Sequence, residues 1–453
     1  MDDNIRIANA QAFWGDSSDA PATLLAQQPQ IDWLTLDYLA EVSMSILARQ
    51  RQRDPTAGYA RDFLDVIQSL APAWRNGSRM RLISNAGGLN PRGCAQACVA
   101  ILRGSGCAGM KMGIVSGDDV LEQLRSDPTC QHYCNLETGA TLTDILDRLV
   151  SANAYLGAAP LVQAIDVGAD IIITGRLADP SLTVAPCMAH FGWRSDDYDR
   201  LAGATVAGHL IECGTQATGG ISTDWLDVPD AANIGFPIVQ VSDDGSCVLS
   251  KPSGTGGRVN ARTVKEQLVY EIGDPANYIS PDVVASFLTL RVQELGDDRV
   301  RIGGATGRAP TPFYKVSATY RAGYRASGML TIVGRDAVLK ARRCGQIVLD
   351  RLRRAGFQPQ RTLVECLGGG DAAPGVLPRR DDLHETVLRI TVADERRDVV
   401  ERFSREIVPL VTGGPQGTSG YFDGRPAVRE VFGYWPCLIQ RDRVQAQVQV
   451  LDV

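Results

Sequence analysis

The sequence predicts an α/β fold: a mostly parallel, doubly wound sheet with helices on both faces, joined to a smaller α+β C-terminal portion. Three observations predict it. The first half repeats a short apolar run, a polar or Gly-bearing turn and a longer amphipathic stretch, which is the pattern of successive βα units. The clearest run, Ile171–Ile173, is apolar at every position, as a strand covered on both faces must be. Five or six such units, rather than eight, favour an open sheet over a closed barrel. From about Gly235 the pattern changes to hairpins and alternating strands. The expected divisions are residues 1–234, 235–356 and 357–453.

The elements follow in order. Ile5–Asn9 reads as a strand that runs into a loop holding Asp16 and Ser17, with Pro21 at a helix start. Trp33–Leu36 ends on Asp37, ahead of a helical stretch. Arg79–Ser84 ends in Asn85, Gly87 and Gly88, and Pro91 opens the next helix. Met110–Val115 runs into Ser116, Gly117 and Asp118 before a short helical segment. A further helix is expected over Leu142–Asn153. Ile171–Ile173 leads to Thr174, Gly175 and Arg176, with Asp179 and Pro180 at the following helix. Beyond Gly235 come a hairpin turning at Asp243–Gly245, the Gly-rich loop Lys251–Gly257 and a helix from Asn260. An antiparallel meander is expected over Arg299–Val333, a helix over Arg335–Gly356, and a strand, a helix and two late strands after that. Right-handed crossovers would carry every strand-to-helix turn to one sheet edge, where ligands of such folds bind.

Composition narrows the function. The chain has 453 residues, 44% hydrophobic and 22% charged, an ordinary globular mixture. Its 52 acidic and 46 basic residues give a net charge of -6, which argues against a nucleic-acid partner. The opening MDDNIRIANA has no apolar core of a signal peptide, and no apolar run approaches a membrane span. A cytoplasmic protein without a membrane partner is the expectation. Eleven cysteines occur without a CxxC pair; Cys94/Cys98 and Cys130/Cys134 have three residues between them. With only four histidines in the chain, no transition-metal site is expected.

The densest cluster of chemistry-bearing residues is His209–Gly220. On a helix His209, Glu212 and Cys213 share a face. A Cys–His pair can make a thiolate, and Glu212 can orient the imidazole or carry a proton. Gln216 and Thr218 add polar groups, and Gly219 with its neighbour admits a close ligand approach. A buried Cys and a satisfied His at a helix end explain the same residues without chemistry. Arg176 stands at a strand end that needs no charge, so it is a candidate clamp for a carboxylate or phosphate. Asp179 is explained by capping. Asn85, Gly87 and Gly88 form a turn aimed at a helix N-terminus, a natural anion seat, but without a dinucleotide fingerprint. In the loop holding Lys251, Thr255 and Gly256, the Lys precedes the glycines, so it is an anion loop rather than a Walker A motif. Asp16 and Asp37 are candidates for substrate binding and for a general base, respectively, and turn geometry explains both equally.

These residues also carry a resemblance. The segments IRIANAQAFWGDSSDAP, LTLDYLAEVSMSILARQ, SNAGGLNP, GADIIITGRLADPSL, GHLIECGTQATGG, GFPI and KPSGTGG resemble, in order, the blocks of the acyclic terpene utilisation AtuA family. The match runs to Tyr270 and more loosely beyond. It implies a ferredoxin-like C-terminal domain and a setting among enzymes that degrade citronellol and geraniol as CoA thioesters, but no particular reaction. The expectation is therefore an enzyme of acyl-CoA or branched carboxylic acid metabolism, working by hydration, dehydration or C–C lysis. His209, Glu212 and Asp37 would do acid–base work, and Arg176, Lys251 and the Asn85–Gly88 turn would hold the anionic group. The alternatives are thiol-based acyl transfer through Cys213 and a non-catalytic acyl-CoA-binding partner subunit. No cofactor is firmly implied beyond a CoA moiety carried by the substrate, and a homo-oligomer is expected.

Overall fold

The structure, a computed structural model, describes residues 4–420 and 424–453. The chain forms two compact units, Met1–Thr319 with Tyr434–Val453, and Tyr320–Gly433. In chain order the first unit contains β1 (Asn4–Asn9), β2 (Trp33–Leu36), β3 (Arg81–Ser84), β4 (Lys111–Ser116), β5 (Leu149–Ala154), β6 (Ile171–Thr174), β7 (Ile238–Ser242) and β8 (Cys247–Ser250). Next come β9 (Tyr278–Ile279), β10 (Val284–Ser286), β11 (Arg291–Gly296), β12 (Arg299–Gly303) and β13 (Thr306–Arg308). The long β14 (Phe313–Val333) leads to β15 (Arg361–Leu367), β16 (Glu385–Asp394), β17 (Thr418–Ser419), β18 (Arg429–Gln440) and finally β19 (Gln447–Asp452).

The expected mostly parallel, doubly wound sheet is not what forms. The first unit is built on a ten-stranded mixed sheet in the order β11-β12-β8-β7-β1-β2-β3-β6-β4-β19. Its centre, β1-β2-β3-β6-β4, is parallel. Antiparallel strands extend it on both sides: β7, β8, β12 and β11 beyond β1, and β19 beyond β4. The remaining sheets pair antiparallel wherever a register is described, as in β13-β10-β9 and β15-β16-β14-β17. The physical reason is local. A hairpin adds a neighbour through a short turn, whereas each further parallel strand needs a crossover of a dozen or more residues. Once the chain leaves the βα pattern, Ile238–Ser250 and Arg291–Gly303 add themselves to the sheet as hairpins.

Apolar side chains cover both faces of the parallel centre. Ile7, Trp33, Ile83 and Ile172 lie in one core, and Ala8, Leu34, Leu82 and Ile173 in the other, as period-two alternation requires. The second unit has its own core between β14, β16 and the helix Ala337–Arg354. Two smaller expectations also change. The segment Leu142–Asn153 is not a helix; it makes two single 3-10 turns and then β5. Thr141 Oγ1 donates to Asp144 Oδ1 at 3.2 Å, the side-chain competition that favours a turn over a helix. The expected meander to Val333 contains one continuous strand of 21 residues, β14.

The fold positions the candidate residues through two features. Asp37, Asn85 and Arg176 follow the neighbouring parallel strands β2, β3 and β6, and so emerge at one edge. The helix Tyr198–Glu212, buried from Leu201 to Ile211, brings its last turn to that edge. A Cβ at Gly208 would stand 2.7 Å from Pro180 Cα, so only glycine admits this approach of helix to turn.

Candidate active site

The last turn of the helix Tyr198–Glu212 is held from below by Asn9, the final residue of β1. Its Nδ2 donates to the carbonyls of Ile211 at 2.6 Å and Glu212 at 3.0 Å, satisfying groups that a helix end leaves open. His209, 2% exposed, sits between two acceptors. Its Nδ1 lies 2.9 Å from Glu212 Oε1 and its Nε2 lies 2.9 Å from the Gln267 carbonyl oxygen. A carbonyl can only accept, so Nε2 carries a hydrogen. The second proton of the pair is shared between Nδ1 and the Glu212 carboxyl. Desolvation alone would depress the His209 pKa, but the Glu212 hydrogen bond and charge and the Gln267 carbonyl outweigh it, and the pKa is raised. Burial raises that of Glu212 too, against the pull of His209 and with the charges of Asp179 and Glu271 adding to it. The pair therefore retains its proton, and Glu212 Oε2 is buried without a hydrogen-bond partner.

Around this carboxyl the polar groups converge. Asp37 is buried; its Oδ1 accepts from Asn85 Nδ2 at 2.7 Å and from the Leu39 N–H at 3.2 Å. Asn85 in turn accepts from the Tyr38 N–H at 2.7 Å. Burial first, then the Asp179 charge, lifts the Asp37 pKa well above the usual carboxylate range. Arg176 and Asn85 oppose the rise, and the charge of Glu212 adds to it, which places all of these groups within electrostatic reach. Arg176 is held in the fold through its Nη atoms, while its Nε is buried without a hydrogen-bond partner. Its Nη1 donates to Asp179 Oδ1 at 2.5 Å and to the Leu39 carbonyl at 2.8 Å, and its guanidinium lies 4.2 Å over the Tyr155 ring. Its backbone N–H donates to Asp118 Oδ2 at 2.8 Å, which also accepts from Asn153 Nδ2. Asp118 is buried, and burial lifts its pKa to about 6.

Cys213 ends the helix, half-buried. Burial, then the neighbouring Glu212 charge, pushes its thiol well above the ordinary cysteine range. Both nitrogens of His209 are taken, so the imidazole offers no free base to this thiol. Tyr278 and Phe287 close over His209, with ring centroids 5.8 Å away in each case.

The other expected residues have mainly architectural partners. Thr218 Oγ1 donates to the Gly235 carbonyl at 2.7 Å, and the Thr218 carbonyl accepts from the Arg258 N–H at 2.8 Å. Gly219 turns the chain at φ 108, and the Gln216 side chain hydrogen-bonds the Tyr270 hydroxyl. Lys251, expected to hold an anion, instead lies 3.0 Å from Asp298 Oδ2 and donates to the Thr255 carbonyl at 2.9 Å. Thr255 Oγ1 closes the same loop onto the Pro252 carbonyl at 2.6 Å, and Gly256 passes the Asp230 carbonyl too closely for a side chain. Gly87 and Gly88 admit the close approach of Thr174 and Leu47, respectively, and Asn90 caps the helix they precede. Asp16 folds its own loop, accepting from the Ala12 and Ser17 N–H groups.

The structure thus brings Asp37, Asn85, Arg176, His209, Glu212 and Cys213 together, while Asp16, Lys251, Thr255 and Gly256 shape loops. Sequence reasoning missed Asn9, Gln267 and Tyr278. A buried Asn ending an otherwise apolar strand was a usable signal. Gln267 reaches His209 twice, its carbonyl on the imidazole Nε2 and its own side-chain Nε2 donating to the His209 carbonyl at 3.1 Å, across 58 residues that no local spacing links. Asp179, read as a cap, is the Arg176 partner. The buried oxygens of Asn9 (Oδ1), Gln11 (Oε1), Glu212 (Oε2), Gln216 (Oε1) and Gln267 (Oε1) all lack donors. Buried acceptors without donors are rare, so these oxygens suit a hydroxyl-bearing ligand or water, while the unpartnered Arg176 Nε offers a donor at the same edge. Among the described residues no group of three or more His, Cys, Asp or Glu side chains could hold a metal ion, and no helix is long and apolar enough to cross a membrane.

Comparison with known proteins gives one match. The family model described as acyclic terpene utilisation family protein AtuA covers residues 5–450. No curated protein and no solved structure matches the chain.

Proposed function

The chain belongs to the acyclic terpene utilisation AtuA family, and on that footing we propose that it is a catabolic enzyme which hydrates or dehydrates an acyl-CoA or branched carboxylic acid. The observation that carries the reading is the His209–Glu212 pair, with Nε2 fixed on the Gln267 carbonyl and Glu212 Oε2 left without a partner. Such a pair keeps its own proton between Nδ1 and Oε1 and leaves Glu212 Oε2 free to take up and return another, on a carboxyl whose pKa burial raises above the ordinary carboxylate range, as a general acid–base requires. In hydration, the Glu212 carboxylate takes a proton from water as its oxygen adds to the β carbon, and the same proton completes the α carbon. Dehydration runs these steps backwards. His209 touches no reacting atom; it positions Glu212 and compensates its charge. Asp37, oriented by Asn85, is the second carboxyl. Arg176 steadies the local field through Asp179 rather than clamping the substrate.

Thiol transfer through Cys213 has less support, because its pKa is raised and no free base faces it. The deciding experiment is turnover by purified protein of 3-hydroxyacyl and 2-enoyl CoA thioesters and their free acids, with Glu212→Gln as the control. Turnover lost in that variant supports the reading. Turnover retained by Glu212→Gln, or binding without turnover across the panel, overturns it.

A further inference from the structure

At the opposite edge of the ten-stranded sheet, the amino ends of β1, β2 and β3 border a groove of about 800 Å³. That volume lies in the upper range for small-molecule sites. Arg6, Arg79, Arg81 and His190 contribute to its lining, against Asp32 as the one carboxylate among the described lining residues. Asp32 Oδ2 is already engaged, accepting from the Arg6 backbone N–H at 2.8 Å. The guanidiniums are not neutralised by described residues. Arg6 Nη1 donates to the neutral Gln30 Oε1 at 3.1 Å, Arg81 lies 5.2 Å over the Trp33 ring, and Arg79 makes no ion pair or hydrogen bond among the described residues.

Helix polarity alone would work against an anion here. The helix Ser181–Phe191 ends at this groove, and a helix C-terminus is the negative end of its dipole. That end is closed by Gly192 in the left-handed conformation, and both Gly192 and Trp193 donate to the Met188 carbonyl. Three permanent positive charges outweigh the Asp32 carboxylate and the half charge of a capped helix end together. In a chain of net charge -6, three arginines collected in one concavity without an ion pair among the described residues need an explanation that bulk composition does not supply.

We infer that this groove binds a small molecule bearing a diphosphate, with Arg79 and Arg81 on the phosphate oxygens and Arg6 at the rim. A guanidinium presents paired N–H donors that match phosphate geometry, and several together favour a ligand with more than one phosphate charge. The groove is separate from the Glu212 site, so this inference does not rest on the proposed reaction.

The test is calorimetric titration of the full chain with inorganic pyrophosphate and with ADP. Stoichiometric binding of either is expected, weakening as salt rises from 50 to about 200 mM, as screening of a charge-driven contact requires. Arg79→Gln should weaken it about tenfold, the loss of one charge-assisted contact. Arg79 is exposed and makes no ion pair or hydrogen bond among the described residues, so that variant keeps the fold even if Arg81→Gln disturbs Trp33. ADP binding more tightly than pyrophosphate would identify the source as a nucleotide, and equal binding would identify a free oligophosphate. No heat with either ligand at millimolar concentration overturns the inference, as does unchanged affinity in Arg79→Gln.

Discussion

Asp118→Asn tests the electrostatics beneath the candidate site quantitatively. Asp118 is buried, and its Oδ2 accepts from both the Arg176 N–H and Asn153 Nδ2. A carbonyl oxygen in the same place can accept the same two bonds. Burial raises the carboxyl from 3.8 to about 6 in the folded chain. The sign follows from linkage. A raised carboxyl pKa means that the folded state holds the proton more tightly, so stability is lost as pH rises from the unfolded value through the folded one. The full cost of a shift of about two units is ~3 kcal/mol, and about half of it falls between pH 5 and pH 8. Asp118→Asn removes that loss. The variant should therefore gain ~1.5 kcal/mol on the wild type between pH 5 and pH 8. Urea titration followed by tryptophan fluorescence reads the right unit, because all six tryptophans lie in residues 1–319 or 434–453. A stability difference that stays constant over this pH range, or one that moves against the variant, would refute the reasoning.

Three further outcomes follow from the geometry. Glu212→Gln should keep the fold, checked by circular dichroism, and lose roughly 10²–10⁴-fold in turnover, the usual contribution of a general acid–base. Cys213→Ala should retain most activity and cost about 1–2 kcal/mol in urea titration, since it removes a half-buried sulfur and no base; a folded, substrate-binding but inactive variant would show the thiol to be the nucleophile. Asn9→Ala strands the Ile211 and Glu212 carbonyls at the helix end and should cost about 1–3 kcal/mol in the same titration, whereas a loss below a few tenths would mean that water replaces the amide freely.

The legible parts of this chain were those whose partners lie nearby in sequence. Ile171–Ile173, Leu82–Ile83 and Trp33–Leu36 read as buried strands because both neighbours of each are apolar-faced and arrive by a regular crossover. The residues following them, Asp37, Asn85 and Arg176, could be assigned to one edge for the same reason. The flanks of the sheet were not legible. Gln447–Asp452 alternates like any exposed strand, and nothing in it names Lys111–Ser116, more than 300 residues earlier, as its neighbour. The charge state of a side chain was equally hidden. Arg176 and Lys251 look alike as free cations in sequence, yet Asp179 and Asp298 complete them in three dimensions. Lys251 finds its partner on the turn between β11 and β12, an element outside the βα pattern. His209 and Glu212 could be paired from helical spacing alone, but Gln267, which decides the imidazole tautomer, could not.

The pairing of β19 with β4 sets a timetable for the ribosome. Among the described residues the edge that β4 offers is covered by Gln447–Asp452, so about 330 residues must be translated after Ser116 before its partner exists. At a synthesis rate of roughly 5–20 residues per second, that interval is on the order of 20–60 s. Throughout it, the nascent first unit would display an unpaired strand edge, the feature most prone to pairing with other chains. All of Tyr320–Gly433 is made within this window, so the second unit can be complete while the first still waits for its final strand.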